Sequence, residues 1–137
     1  PVLCAAAKGQ LETLKILVQH GASLHARSLR GTGVAHEAVM SGRTELIEWL
    51  ARKKPKTLDV ATYDGRTPLH LAALNDFIGT CKVLLDHGVK INTVFMTSTG
   101  EPMTALDAAL CRGNRDCAKL IQMHGGMTAL HLRSHRT

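Results

Sequence analysis

The chain has 137 residues, enough for one domain, and 45% of them are apolar while only 3% are aromatic, so its core is predicted to be built from Leu, Val, Ile and Ala. Seventeen Lys and Arg against eleven Asp and Glu leave a net charge of +6, which suits acidic partners: a protein segment first, nucleic acid or an anionic membrane second. The longest apolar run, residues 2–7, is too short to cross a bilayer, and four cysteines (Cys4, Cys81, Cys111 and Cys117) with no C-x-x-C pair argue against a disulfide scaffold and for a reduced, intracellular setting.

Residues 1–21, PVLCAAAKGQLETLKILVQHG, open with a short apolar helix, turn at Gly9, and continue into an amphipathic helix over 11–19 that Gly21 ends. Residues 33–42, GVAHEAVMSG, begin the same pattern again: a helix over 34–40, a turn at Gly42, and a second helix over 44–52. Here the dense run Arg52, Lys53, Lys54, Pro55 and Lys56 replaces the closing glycine; its cations complement a helix C-terminus and Pro55 stops the helix. Residues 67–88, TPLHLAALNDFIGTCKVLLDHG, place Thr67 at an N-cap and Pro68 at the first helical position, with helices over 68–74 and 78–86. Asp76 stands where the other units have glycine, and it tolerates a left-handed backbone better than most residues. Residues 104–125 repeat the unit a fourth time, with helices ending at Cys111 and Met123. Leu3, His36, His70 and Asp107 occupy one slot, separated by 33, 34 and 37 residues.

A period of 33 carrying T-P-L-H-x-A resembles the ankyrin repeat family over residues 1–126, and the third unit is its nearest match. The resemblance implies an all-α fold: a solenoid of stacked antiparallel helix pairs joined by β-hairpin-like loops, whose neighbours share one continuous core. The expected units are residues 1–27 (lacking a preceding hairpin, so an upstream repeat or cap is expected), 28–61, 62–98 with an extended finger, 99–126 with a cap-like polar Gln122, and residues 127–137, MTALHLRSHRT, which echo TPLHL and are expected as a partly ordered basic tail or the torn start of another unit. Pro1 without a preceding Met suggests a piece of a longer protein.

The resemblance also implies where function sits. The expected role is noncatalytic: a protein-interaction module that uses its concave side, lined by hairpin tips and first helices. Carried over position by position, that surface comprises Arg27, Leu29, Arg30 and Thr32; Tyr63, Asp64 and Arg66; Glu101 and Met103; and, on first helices, Met40, Ser41, Leu74, Asn75, Cys111 and Arg112. Tyr63 supplies an amphipathic anchor and the arginines forked donors for carboxylates, so an acidic segment with hydrophobic anchors would fit. Four extra residues between Asn92 and Thr104 lengthen one finger, and Phe95 and Met96 within it are large apolar residues on a loop, a mark of a contact, unless Phe95 folds back on the finger or caps the fourth unit; Pro102 there is taken to replace the turn glycine. Family precedent makes Asn92, eight residues after Leu84, a candidate for asparaginyl hydroxylation.

Other chemistry has thinner support. His36 and His70 are expected to tie adjacent turns by hydrogen bonds, and His20, His87 and His124 to sit at helix C-termini. His131 and His135 are four apart with Cys111 and Cys117 nearby in sequence, but nothing fixes a ligand geometry, so no metal is expected. Cys4, Cys81 and Cys117 are expected to be small buried residues, leaving Cys111 as the accessible thiol. Gly31-Thr32-Gly33 lacks the strand and third glycine of a phosphate loop, and no nucleophile–base pairing stands out, so neither cofactor nor catalysis is expected. The chain is expected to be a cytoplasmic monomer, with Arg52 to Lys56 as an alternative nuclear-import or polyanion-binding run.

Overall fold

The computed structural model describes residues 2–134. Four helix pairs follow one another: α1 (Val2–Ala7) with α2 (Leu11–Gln19), α3 (Val34–Ser41) with α4 (Thr44–Lys53), α5 (Pro68–Leu74) with α6 (Ile78–Asp86), and α7 (Ala105–Cys111) with α8 (Arg115–Met123). A ninth helix, α9 (Ala129–Ser134), lies within the segment expected as a tail. Each short helix packs on its counterpart in the next unit, α1 on α3, α3 on α5 and α5 on α7, and the second helices do the same from α4 through α6 to α8. The interior is continuous from Val2 to Ile121, and its largest fully buried side chains include Leu14, Leu46, Ile47, Leu50, Leu69 and Leu84. No helix pair could cover its apolar face alone, so stacking is what makes the units stable.

The turn between paired helices needs a left-handed residue. Gly9, Gly42 and Gly113 supply it, and Asp76 adopts φ 56° in the same place. The Asp76 carboxylate accepts a hydrogen bond from the Cys117 thiol at 3.3 Å, and the Cys117 and Cys81 sulfurs lie 3.8 Å apart on the neighbouring helices α8 and α6. Burial pushes the Cys81 thiol up, and burial followed by the Asp76 acceptor raises Cys117 to about 11.

Cys4 departs from expectation: it is exposed. Its column along the stack runs through the half-buried Glu37 and Leu71 to the buried Ala108, and among the described residues no hairpin packs ahead of α1 to cover it. Native alkylation should therefore modify Cys4 and Cys111 and reach Cys81 and Cys117 only after unfolding, as peptide mass mapping would read. The basic run is another local departure. α4 continues to Lys53, and Pro55 then opens a 3-10 helix, Pro55–Asp59, that buries Leu58 and Thr57. Asp59 in that turn accepts the Lys90 N–H at 2.9 Å, tying the second unit to the third.

Candidate functional site: the row of hairpin tips

Three hairpins project between the helix pairs, and all close in the same way. Ser28, Thr62 and Thr97 each donate a backbone N–H to the carbonyl four residues on (Thr32, Arg66 and Glu101), at 2.9, 2.8 and 2.9 Å. Gly31, Gly65 and Gly100 occupy equivalent left-handed positions. Two corrections follow for the long finger. Its turn glycine is Gly100, and Pro102 lies in a strand instead. The four extra residues divide, two before the turn and two after it: Thr97 follows Gly88 by nine positions, whereas Ser28 follows Gly21 by seven, and Pro102 and Met103 intervene between Glu101 and Thr104. These additions pair as β1 (Phe95–Met96) with β2 (Pro102–Met103), antiparallel, Phe95 opposite Met103. The residues at the tip of the last hairpin are thus Ser98 and Thr99, matching Leu29 and Arg30 in the first and Tyr63 and Asp64 in the second.

The slot residues hold these hairpins to the helices. His36 Nδ1 accepts the Gly33 N–H at 3.0 Å and His70 Nδ1 accepts the Thr67 N–H at 2.9 Å. With Nδ1 an acceptor, each imidazole carries its proton on Nε2 and donates it to the next unit: His36 to the Arg66 carbonyl, His70 to the Thr93 carbonyl, both at 2.8 Å. Asp107 inverts the arrangement. Its carboxylate accepts from the Thr104 N–H at 3.1 Å and from the Ala129 N–H at 2.8 Å, while the Thr104 hydroxyl donates to the Met127 carbonyl at 2.6 Å. Both histidines are 1% exposed and both have lowered pKa values, His70 to about 4, with desolvation as the main cause.

Adjacent tips touch. The Tyr63 N–H donates to the Arg30 carbonyl at 3.2 Å and the Met96 N–H to the Asp64 carbonyl at 3.4 Å. Gly31 is required for this approach: its φ is 84°, and a Cβ there would lie 2.9 Å from the Tyr63 backbone nitrogen. A Gly31→Ala substitution is expected to cost about 2 kcal/mol in urea unfolding, from left-handed strain and the backbone clash together.

The expected surface residues take different roles. Leu29 is 99% exposed and Tyr63 is 72% exposed. Arg30, Asp64, Glu101, Cys111 and Arg112 are exposed, and Thr32, Ser41, Arg66 and Leu74 are half-buried. Met40 and Met96 are each half exposed, and the Asn75 amide reaches the Met40 sulfur at 3.7 Å. Arg27 is committed within the chain: its Nε donates to the Gly31 carbonyl at 3.1 Å, a terminal nitrogen donates to the Ala61 carbonyl, and its guanidinium lies 5.3 Å from the Tyr63 ring centre. It braces Tyr63 while remaining exposed.

Phe95 is a correction. Instead of an exposed loop contact it is 2% exposed, with its ring edge-on to His70 at 4.8 Å and the Arg66 guanidinium 5.1 Å from its centre. Strand alternation sends Phe95 inward and Met96 outward. Met103, its ladder partner, packs half-buried against the core. Asn92 is also engaged, its side-chain oxygen accepting the Met127 N–H at 2.8 Å.

Between the first and second hairpins these residues enclose a cleft of about 360 Å³ lined by Arg30, Thr32, Thr62, Tyr63, Asp64, Arg66 and Leu71. Thr62 and Leu71 were not among the residues expected from sequence. Leu71 is the next residue after the slot His70, and its half-burial shows only in three dimensions. The Asp64 carboxyl is lowered from its ordinary value by the Thr62 hydroxyl and then by Arg66. Among the described residues, no three His, Cys, Asp or Glu side chains are grouped to hold a metal ion, and His135 lies outside them.

The repeated hairpin closure, the stacked slots and the helix pairs agree with a family model for ankyrin repeats (three copies), which matches residues 2–95. The chain belongs to the ankyrin repeat family. It is 32% identical over 114 residues to human Ankyrin repeat and SOCS box protein 16, covering 82% of this chain and 24% of that protein. It is 27% identical over 111 residues to the Saccharomyces cerevisiae Target of rapamycin complex 2 subunit AVO2, covering 80% and 25%. Rat Ankyrin repeat and SOCS box protein 2 is 32% identical over 90 residues, covering 66% and 14%. The chain spans about a quarter or less of these relatives' lengths. Ankyrin repeats are protein–protein interaction modules, generally without catalytic activity of their own. No helix among the described residues is long and apolar enough to cross a membrane.

Proposed function

We propose that this ankyrin array is a noncatalytic adaptor segment that holds a polypeptide partner against its hairpin tips and first helices. The cleft beside Tyr63 carries this reading. It is concave, it combines an exposed aromatic with arginines and an apolar wall at Leu71, and its geometry is fixed by backbone bonds between hairpins. Rigid placement of an amphipathic aromatic keeps the entropy cost of binding low. Siting a photoreactive benzophenone side chain at position 63, and separately at the exposed Glu48 on α4, tests the assignment in cell extract. Polypeptide adducts at 63 that are missing at 48 are the expected outcome; equal labelling at both, or none at 63, contradicts it.

A second reading rests on the basic run. Arg52, Lys53, Lys54, Pro55 and Lys56 are all exposed, and none of these cations forms an ion pair among the described residues. Such a patch would attract nucleic acid or anionic lipid, or serve as a nuclear-import signal. Affinity for a polyanion that falls steeply and log-linearly with salt, and that drops in a Lys53→Ala/Lys54→Ala/Lys56→Ala variant, would favour it.

A further inference from the structure

The cleft has a chemistry narrower than protein binding in general. Its two arginines are differently placed, and neither side chain has a hydrogen-bond acceptor among the described residues. The Arg30 side chain is exposed and makes no hydrogen bond or ion pair among the described residues. Arg66 Nε lies 3.4 Å from Asp64 Oδ2, an ion-pair distance without hydrogen-bond geometry, and it is the one buried side-chain nitrogen or oxygen among the described residues that lacks a hydrogen-bond partner. The other Asp64 oxygen, Oδ1, accepts from the Thr62 hydroxyl. The same guanidinium rests over the Phe95 ring, which restricts its movement. Two cations thus face one carboxylate that is already engaged, so the cleft keeps an excess of positive charge and of donors. Beside them, the exposed Tyr63 ring, braced from Arg27, and the half-buried Leu71 offer apolar surface.

Building on the concave-face reading, we infer that the bound polypeptide presents an Asp or Glu side chain between Arg30 and Arg66, with a neighbouring aliphatic residue against Tyr63 and Leu71. A carboxylate is the planar acceptor that matches guanidinium donors, and it would bond the terminal nitrogens of Arg66, whose side chain is 41% exposed, together with those of Arg30. The aliphatic neighbour would exclude water from that pair, which strengthens it. Glu37, next to the cleft residue Thr32, accepts from its hydroxyl at 3.3 Å.

A random peptide library displayed on phage is the probe. Clones selected on the wild-type protein are counter-selected on a Tyr63→Ala variant, so that cleft binders alone remain. These are expected to be enriched in Asp or Glu next to Leu, Ile or Val. For a synthetic peptide from that set, changing its acid to the amide should weaken binding about tenfold on the wild type and little on an Arg30→Gln variant, whose side chain has no contact whose loss would unfold the chain. An Arg66→Lys variant, with its fold checked by circular dichroism, should also lose affinity, because a point charge cannot replace the fork. Clones that depend on Tyr63 but are no more acidic than the starting library, or whose acid preference survives Arg30→Gln, overturn the acidic-segment assignment. A selection in which every clone also binds Tyr63→Ala, so that none survives the counter-selection, counts instead against the concave-face reading on which it rests.

Discussion

Lowering the pH from 7 to 4 is expected to remove about 3 kcal/mol of folding stability through His70 alone. The folded-state pKa is depressed to about 4 from an ordinary 6.5. Between those values the unfolded chain binds a proton that the folded chain refuses. Stability is therefore fully present above about 6.5 and is lost as the pH falls toward 4. The structural cause is specific. The imidazole is buried, its Nδ1 already accepts the Thr67 N–H, and a second proton would have to displace that bond. His36 is shifted in the same direction for the same reason and adds to the loss. Because single domains are stable by only about 5–15 kcal/mol, this is a large effect. Urea midpoints at pH 7, 5.5 and 4.5 should fall steadily, and the slope should flatten in a His70→Gln variant. Midpoints that do not change over this range would show that the imidazole is not held neutral.

The second large effect is expected at Phe95. Truncation to alanine should cost about 3–5 kcal/mol, as for other buried aromatics. The ring fills the space beside His70, supports the Arg66 guanidinium and anchors the two-residue ladder of the long finger. Met96→Ala, one position along and half exposed, should cost less than about 1 kcal/mol. Chemical denaturation of the two variants separates them. Similar small losses would mean that Phe95 is a surface residue after all.

The contrast at these two neighbours explains what was legible in the sequence. Helical spacing, turn glycines and the T-P-L-H slot place every helix of the four units, because those signals come from contacts that recur with the period. The bounds of α2, α6 and α8 follow from periodicity and the closing Gly21, Gly88 and Gly125. The finger carries no such redundancy. Four extra residues between Asn92 and Thr104 can be distributed in several ways, and only the pairing of Phe95 with Met103 shows that they lengthen both strands. The tip residues Ser98 and Thr99 were missed because the turn glycine was sought at Pro102 rather than Gly100. A turn needs φ near 83°, which proline cannot adopt, so that clue was present. At the candidate site, Tyr63, Arg30 and Arg66 are legible as hairpin positions. The commitment of Arg27 to internal carbonyls and the unfilled donor of Arg66 are not, since both depend on side-chain geometry across units.

The slot residues His36 and His70 reach the next unit, and those bonds set the hairpins in the row that forms the cleft. Long-range ¹⁵N–¹H correlation spectra of the imidazoles test this most directly. His36 and His70 should both appear as neutral rings protonated on Nε2, with that tautomer persisting from pH 7 down to 5.5 and both signals lost together on unfolding. Rings that exchange between tautomers, or that gain a second proton near pH 6.5 in the folded protein, would contradict the stacked slots.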